Sequence, residues 1–476
     1  MTITRRVFGT TAAAALVTAA PALAAANPPR VLDVIVLGAG MSGLQAAWLL
    51  EQQGQSVMVL EARDQVGGRV RTLFDEPGTP EMGFNSMGAG YGRGIDAARR
   101  AGVDLYDVAP RMMRGYHQEL YLDGVLIPKA AWPTHPANPF PADRKAMMPW
   151  EISGKVLHEH NPLKDWSRWN DPSNAPLDIS LHDFLKGQGL SDAAIRLAVD
   201  TSPYYGESGS DVSALMYEFT DGWTGTQMAM GPKSFAVKGG NQRLPIAMAK
   251  LLKGDILFGK AATGLTGDGA GVTVTCHDGA RYRAKRVICS LPFSMVRKLK
   301  MEPGLTGLQS EAVATLPYQS IAMIFLTAKT PYWEKDGLSA SMWTNGPAAQ
   351  VIAQRFGATD DEITGLVAQA RGARADQWDA WGPEKTMARV VEAVETMRPA
   401  AKDQLEAKTY FSWKTQPFNL GDWAYFKPGQ ISRFALGMAA PAGRIHFCGE
   451  HTAVANRGME GALESSERVA LEVLSA

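Results

Sequence analysis

The chain has 476 residues, with 48 lysines and arginines against 48 aspartates and glutamates, so its formal net charge is zero. That length is more than one core serves well and predicts two domains. The balanced charge and the lack of a long basic run argue against nucleic acid as a partner, and three cysteines are too few for a disulfide framework.

At the N-terminus, Thr4-Arg5-Arg6-Val7-Phe8 is a twin-arginine pattern. An alanine-rich apolar stretch follows, and Ala22-Leu23-Ala24 has the small-x-small form of a cleavage site. Residues 1–26 are expected to be a signal peptide for the twin-arginine route, which carries folded proteins, often with a cofactor inserted. The expected location is the bacterial periplasm. The apolar run is too short for a stable membrane span.

Leu32-Asp33-Val34-Ile35-Val36-Leu37 has the look of a buried strand. Gly38-Ala39-Gly40-Met41-Ser42-Gly43 follows at once, and residues 44–52 read as a helix. In this strand–turn–helix context each glycine has a task. Gly38 allows the tight turn, Gly40 lets backbone approach a pyrophosphate, and Gly43 lets helix and strand pack closely. The helix N-terminus offers free N–H groups to phosphates. Residues 56–60 read as the second strand. Glu61, at its end, stands 18 residues past Gly43. That spacing suits a hydrogen bond to an adenosine ribose and opposes a 2′-phosphate. With Glu61-Ala62-Arg63 and Gly67-Gly68-Arg69, the stretch reads as a dinucleotide site of the flavin kind.

Residues 69–90 are glycine-rich and irregular, and 95–102 look helical. Residues 128–176 hold many prolines with Trp132, Trp150, Trp166 and Trp169. They predict an irregular packed flap, because tryptophans seek burial. His158-Glu159-His160 reads as a solvated loop there; nothing nearby completes a metal site, and no metal is expected. Residues 191–199 and 212–219 read as helices. Tyr204 and Tyr205, between them, face either a pocket or the core. A second α/β pattern opens at 236–241, with a helix over 244–252 and strands at 256–258, 272–275, 282–284 and 286–290. Residues 321–326 form a further strand, 386–397 an amphipathic helix ended by Pro399, and 444–448 a strand leading to a final helix over 458–473. Cys289 and Cys448 look like buried strand thiols. Nucleotide elements thus occur at both ends and in the middle. They predict an α/β (α+β) chain: a discontinuous Rossmann-like FAD-binding domain (31–95, 235–300 and 440–476) and a second, substrate-binding domain with mixed sheet and helices (96–234 and 301–439). A cleft between the two is the natural place for a substrate.

These residues resemble those of the flavin-containing amine oxidases: monoamine, polyamine and bacterial L-amino-acid oxidases. The resemblance spans nearly all of the chain beyond the leader. Besides the motifs above it rests on Gly239-Gly240-Asn241, Trp413 with Pro417-Phe418, Gly449-Glu450-His451-Thr452 and Gly458-Met459-Glu460-Gly461-Ala462. It implies that Arg69 lies near the flavin phosphates, that the backbone of Ala262 meets the adenine, and that Glu450 hydrogen-bonds the ribityl chain. It also implies that the Met459 N–H faces the pyrimidine side of the isoalloxazine and that Trp413 packs beside the ring. Ala62, Arg63, Gly83, Gly449 and Gly458 are counted with these as cofactor contacts.

The chain departs from the family at three points. Met323 stands where many relatives carry a lysine linked through water to flavin N5, and a thioether cannot carry that proton or charge. Trp423 matches one aromatic wall of the amine site, but the other wall falls at Gly458, which has no ring. Asp422 stands where relatives with covalent flavin have a cysteine, so noncovalent FAD is expected. The implied chemistry is oxidation of a neutral amine or amino acid: a hydride equivalent passes to N5, and the imine hydrolyses to an aldehyde or ketone. Trp423 is expected to orient the substrate, and Met323 to wall the pocket near N5 or simply to pack the core. Loss of the lysine implies slow reaction with oxygen, with electrons going to oxygen or to a c-type cytochrome or quinone. Two alternatives stay open: a carbon–carbon desaturase or isomerase on the same fold, and a noncatalytic protein that holds FAD structurally.

Overall fold

The run Leu32–Leu37 has little polar surface to offer water, and Val34, Ile35, Val36 and Leu37 are all buried. Apolar residues on both faces mark a strand covered on both sides. In this computed structural model, which describes residues 31–115 and 117–476, the strand lies inside an eight-stranded sheet. The expected signal peptide lies outside the described residues. Leu32–Leu37 pairs in parallel with Val57–Leu60 on one side and Arg281–Cys289 on the other. Ile256–Leu257 continues the parallel order beyond Val57–Leu60.

Residues 282–284 and 286–290 read as two strands, yet Arg281–Cys289 is one. Its first half pairs antiparallel with Val272–Cys276, and its last three residues pair in parallel with Ile445–Phe447. The largely polar half, residues 281–286, gives way to Val287-Ile288-Cys289 where the partner changes. The parallel strands end at Leu37, Leu60, Cys289 and Phe447, so the turns that follow them, at Gly38, Glu61, Ser290 and Cys448, emerge along one sheet edge. That edge is where open α/β sheets bind ligands.

Helices Met41–Gln52 and Gly458–Ser475 cover this sheet and share a core that includes Leu44, Ala47, Leu463 and Val469. Ser466 Oγ donates to the Ser42 carbonyl at 2.9 Å, tying the two together. The first helix starts at Met41, three residues before the periodicity predicts, with Gly43 inside its first turn.

A second, seven-stranded sheet runs in the order Leu405–Ser412, Ile321–Ala328, Gly365–Arg371, Gln350–Gln354, Ser341–Thr344, Gln118–Leu122, Val125–Ile127. Register places Arg371 opposite Ile321 and Ser412 opposite Ala322, so Arg371 and Trp413 leave the sheet at the same end. Of these strands only Ile321–Ala328 is plain in the sequence. All of Leu32–Ala476 packs as one compact unit.

The proline-rich stretch is less irregular than expected. Trp132 and Trp169 are buried, as their bulk demands, but Pro149–His160 is a helix with its Glu151 carboxylate on the Met148 N–H at 2.9 Å. His158-Glu159-His160 is therefore the exposed last turn of that helix, not a loop. The 212–219 helix runs on as Ala214–Ala229, and 191–199 is one helical turn, Asp192–Ile195, passing into π-helix at Arg196–Asp200. Cys276, Cys289 and Cys448 are free and buried. Among the described residues no helix is long and apolar enough to cross a membrane, and no cluster of His, Cys, Asp and Glu could hold a metal.

Candidate active site

Helices Met41–Gln52 and Gly458–Ser475 both begin at one cavity of about 470 Å³. Neither has a side-chain cap: Gly40 precedes the first in extended backbone, and the Arg457 side chain does not turn back on the second. Their first-turn N–H groups, with the positive ends of two helix dipoles, are left for a ligand.

The glycines make room for it. A Cβ on Gly68, which has φ +59°, would stand 3.2 Å from the Gly40 Cα, so this loop lies flat on the glycine turn. A Cβ on Gly43 would run into the Gly38 carbonyl oxygen, so Gly43 serves helix–strand packing and does not line the cavity. Gly38, Gly40, Gly68 and Gly83 do line it.

Glu61 lies on the cavity wall and holds the turn. Its Oε2 accepts the Ala39 N–H at 2.7 Å and its Oε1 the Arg63 N–H at 2.9 Å. Each carboxylate oxygen keeps a lone pair for a hydroxyl. Ala62 and Arg63 are on the same wall, with Arg63 also bonded to Asn419.

Arg69 and Glu450, assigned separately by the sequence, are partners. Arg69 Nη1 meets Glu450 Oε1 at 2.9 Å and the Asp422 carbonyl at 2.6 Å, while Glu450 Oε1 accepts the Ala424 N–H at 3.0 Å. The pair thus clamps the backbone on both sides of Trp423. Burial pushes the Glu450 carboxyl up, but Arg69, His451 and the Ala424 N–H together outweigh it and hold the group below its ordinary range. Burial raises Asp422 to about 7, against the pull of Arg69.

Trp423 stacks on Tyr204 at 5.2 Å and 25° and meets Tyr205 edge-on at 6.1 Å. Arg371 lies over both the Tyr204 and Trp423 rings, at 5.1 and 5.7 Å. Gly458 has no ring, as the sequence shows, but Tyr91 stands there from another part of the chain. Its hydroxyl is 3.7 Å from where a Gly458 Cβ would be, and its ring packs on Trp223 at 6.0 Å. Met459 also lines the cavity.

Four other assigned residues lie away from it. Met323 is buried with Met82, Phe325, Val367 and Trp413, in a cluster bordered by Trp423. Trp413 is sealed, its Nε1–H on the Met82 carbonyl at 2.7 Å, and supports Gly83 from behind, 3.1 Å from a Cβ there. Gly449 gives its N–H to Ser465 Oγ at 2.9 Å and sets the turn into Glu450 at φ +133°. Ala262 begins a strand paired with Val272–Cys276 and does not reach the cavity wall.

The donor set fits a flavin dinucleotide: two uncapped helix starts, a flat glycine turn, a carboxylate with free lone pairs, and aromatic walls at the far end. Residues 41–474 match the family of flavin containing amine oxidoreductases. The chain belongs to that family. Amine oxidase [flavin-containing] B of Cavia porcellus is 26% identical over 93% of this chain and 86% of its own length. The L-amino-acid oxidase of Echis ocellatus is 24% identical over 93% of this chain and 89% of its own. Cyclohexylamine oxidase from Brevibacterium oxydans has the same fold, with a TM-score of 0.74 at 21% identity over 94% of this chain and 99% of its own. This flavin amine oxidoreductase is therefore an oxidoreductase with an FAD site and the mixed-sheet fold of its neighbours.

The sequence left Tyr204 and Tyr205 undecided and did not single out Tyr91, Trp223, Arg371 or Arg457, all of which line the cavity. For Arg457 there was one signal: a charged residue directly before the apolar start of the last helix.

Proposed function

We propose that the enzyme oxidises an amine or amino acid to its imine, which water then hydrolyses to an aldehyde or ketone and ammonia or a smaller amine. What supports this is the continuity of one cavity from the glycine turn to the Trp423–Tyr204 stack. FAD, when bound, supplies the acceptor for a hydride from the substrate α-carbon. The protein's part is positioning and dryness. Trp423, clamped by Arg69 and Glu450, gives a fixed flat wall. Tyr91, Tyr205 and Trp223 keep water from the far end. Arg371 and Arg457 place positive charge on the same walls, which favours the neutral amine over its ammonium form.

Asp422 in place of a cysteine supports noncovalent FAD. The pattern in residues 1–26 supports export through the twin-arginine route and a periplasmic location. The apolar surroundings of Met323 support slow reoxidation by oxygen and an external acceptor, a c-type cytochrome or a quinone. The test mixes amine-reduced enzyme with oxygen and with each acceptor by stopped flow, and assays ammonia and carbonyl product. One carbonyl per flavin reduced, with reoxidation by an acceptor faster than by oxygen, is expected. Fast oxygen consumption removes the acceptor, and absence of carbonyl product removes the oxidation.

A further inference from the structure

Arg457 is 92% buried, since only 8% of its surface is exposed, and it lines the cavity. Among the described residues it makes no ion pair, and its Nε and Nη2 have no hydrogen-bond partner. Buried guanidinium groups are ordinarily paired, because an unpaired one forfeits its hydration without return. The neighbours explain how this one is held. Phe219 and Trp169, whose ring centres are 5.2 Å apart, both lie on one side of it, 4.4 and 4.8 Å from Cζ. Neither ring offers an oxygen to the N–H donors, and a planar fork of donors matches a carboxylate. Trp423 Nε1, on another wall residue, is a further buried donor without a partner. The acidic residues on the cavity wall, Glu61, Asp422 and Glu450, lie on the glycine-turn side and in the clamp around Trp423.

Resting on the amine-oxidation reading, we propose that Arg457 binds the carboxylate of the substrate, so that the substrate is an amino acid and not a simple amine. The surroundings favour substrate over cofactor as the source of the anion. Tyr205 and Thr220 line the cavity with Arg457, and Tyr205 meets Trp423, the expected substrate wall, edge-on at 6.1 Å. Burial also lowers the proton affinity of the guanidinium, against the pull of Tyr205, Glu450 and Glu464.

The test uses the FAD-loaded full chain under anaerobic conditions. L-phenylalanine, L-leucine and L-lysine are each compared with the amine that decarboxylation would give, by the rate of flavin bleaching. At least one amino acid should exceed its amine by about 100-fold in rate over dissociation constant, because the amine leaves the buried fork unpaired. In Arg457→Gln that preference should vanish while FAD content stays whole. Arg457→Lys, which keeps charge but loses the fork, should retain about a tenth of it. 3-Phenylpropionate, which carries a carboxylate and no amine, should shift the flavin band in the wild type and bind about 100-fold more weakly in Arg457→Gln. Amines that bleach as well as their amino acids overturn the inference and leave the oxidation reading standing. So does an Arg457→Gln enzyme that loses FAD or shifts its flavin potential but keeps the carboxylate preference. Bleaching by none of the six counts against the oxidation reading. The phenylpropionate titration then decides alone, and an unchanged affinity in Arg457→Gln, or no shift in the wild type, overturns the inference.

Discussion

Glu61 shows what one side chain does at this site. It holds two backbone N–H groups and still faces the cavity. Glu61→Ala should cost about 2 kcal/mol in thermal unfolding, by leaving buried donors unpaired. It should also weaken FAD binding about 10-fold, measured by equilibrium dialysis, through loss of one charge-assisted bond. Glu218 reports on pH. It is buried on helix Ala214–Ala229 with one oxygen unpartnered, and burial, then Asp178, raises its carboxyl to about 8. The folded state holds this proton in a range where the unfolded chain, near 4.5, has lost it. Its contribution to stability is thus fully present below pH ~4 and is lost as pH rises to ~8, by on the order of 5 kcal/mol. Glu218→Gln should flatten the denaturation midpoint between pH 5 and 8; an unchanged slope would count against the raised value. Residues fixed by local spacing, such as Gly38 and Glu61, were legible in the sequence, and Arg69 was singled out by the family resemblance. Tyr91, Tyr204 and Arg371 were not legible, because only tertiary packing brings them to the cavity of Trp423.

At the scale of elements, the nucleotide half was read well because its strands are apolar on both faces and its glycines punctuate them. The seven-stranded sheet was mostly missed. Strands such as Gln118–Leu122 and Gln350–Gln354 are five residues long and begin or end on polar side chains, so no window carries a clear period. Helix Pro149–His160 was hidden by the prolines and tryptophans around it. Glycine substitutions separate packing from propensity. Gly43→Ala gains helix propensity but drives Cβ into the Gly38 carbonyl, and should cost about 3 kcal/mol and loosen FAD. Gly154→Ala, within Pro149–His160 and with open space around its Cβ, should stabilise by about 0.5–1 kcal/mol. Chemical denaturation of both variants checks the opposite signs.

At the scale of the whole molecule, segments distant in sequence meet around one cavity. Residues after Leu37 and Leu60 bring the glycine turn and Glu61; residues 422–424 bring Trp423, held by Arg69 and Glu450; the last helix brings Gly458 and Met459. The family resemblance made this convergence legible, while the positive charge on the cavity walls needed the structure. The central claim is that an amine reaches FAD beside Trp423. It is tested most directly by stopped-flow absorbance of the FAD-loaded chain mixed anaerobically with amines and amino acids, for wild type and Trp423→Ala. The account predicts saturable bleaching in the wild type, slowed about 100-fold in Trp423→Ala with FAD retained. A flavin that stays oxidised with every substrate, or bleaches equally fast without Trp423, would contradict it.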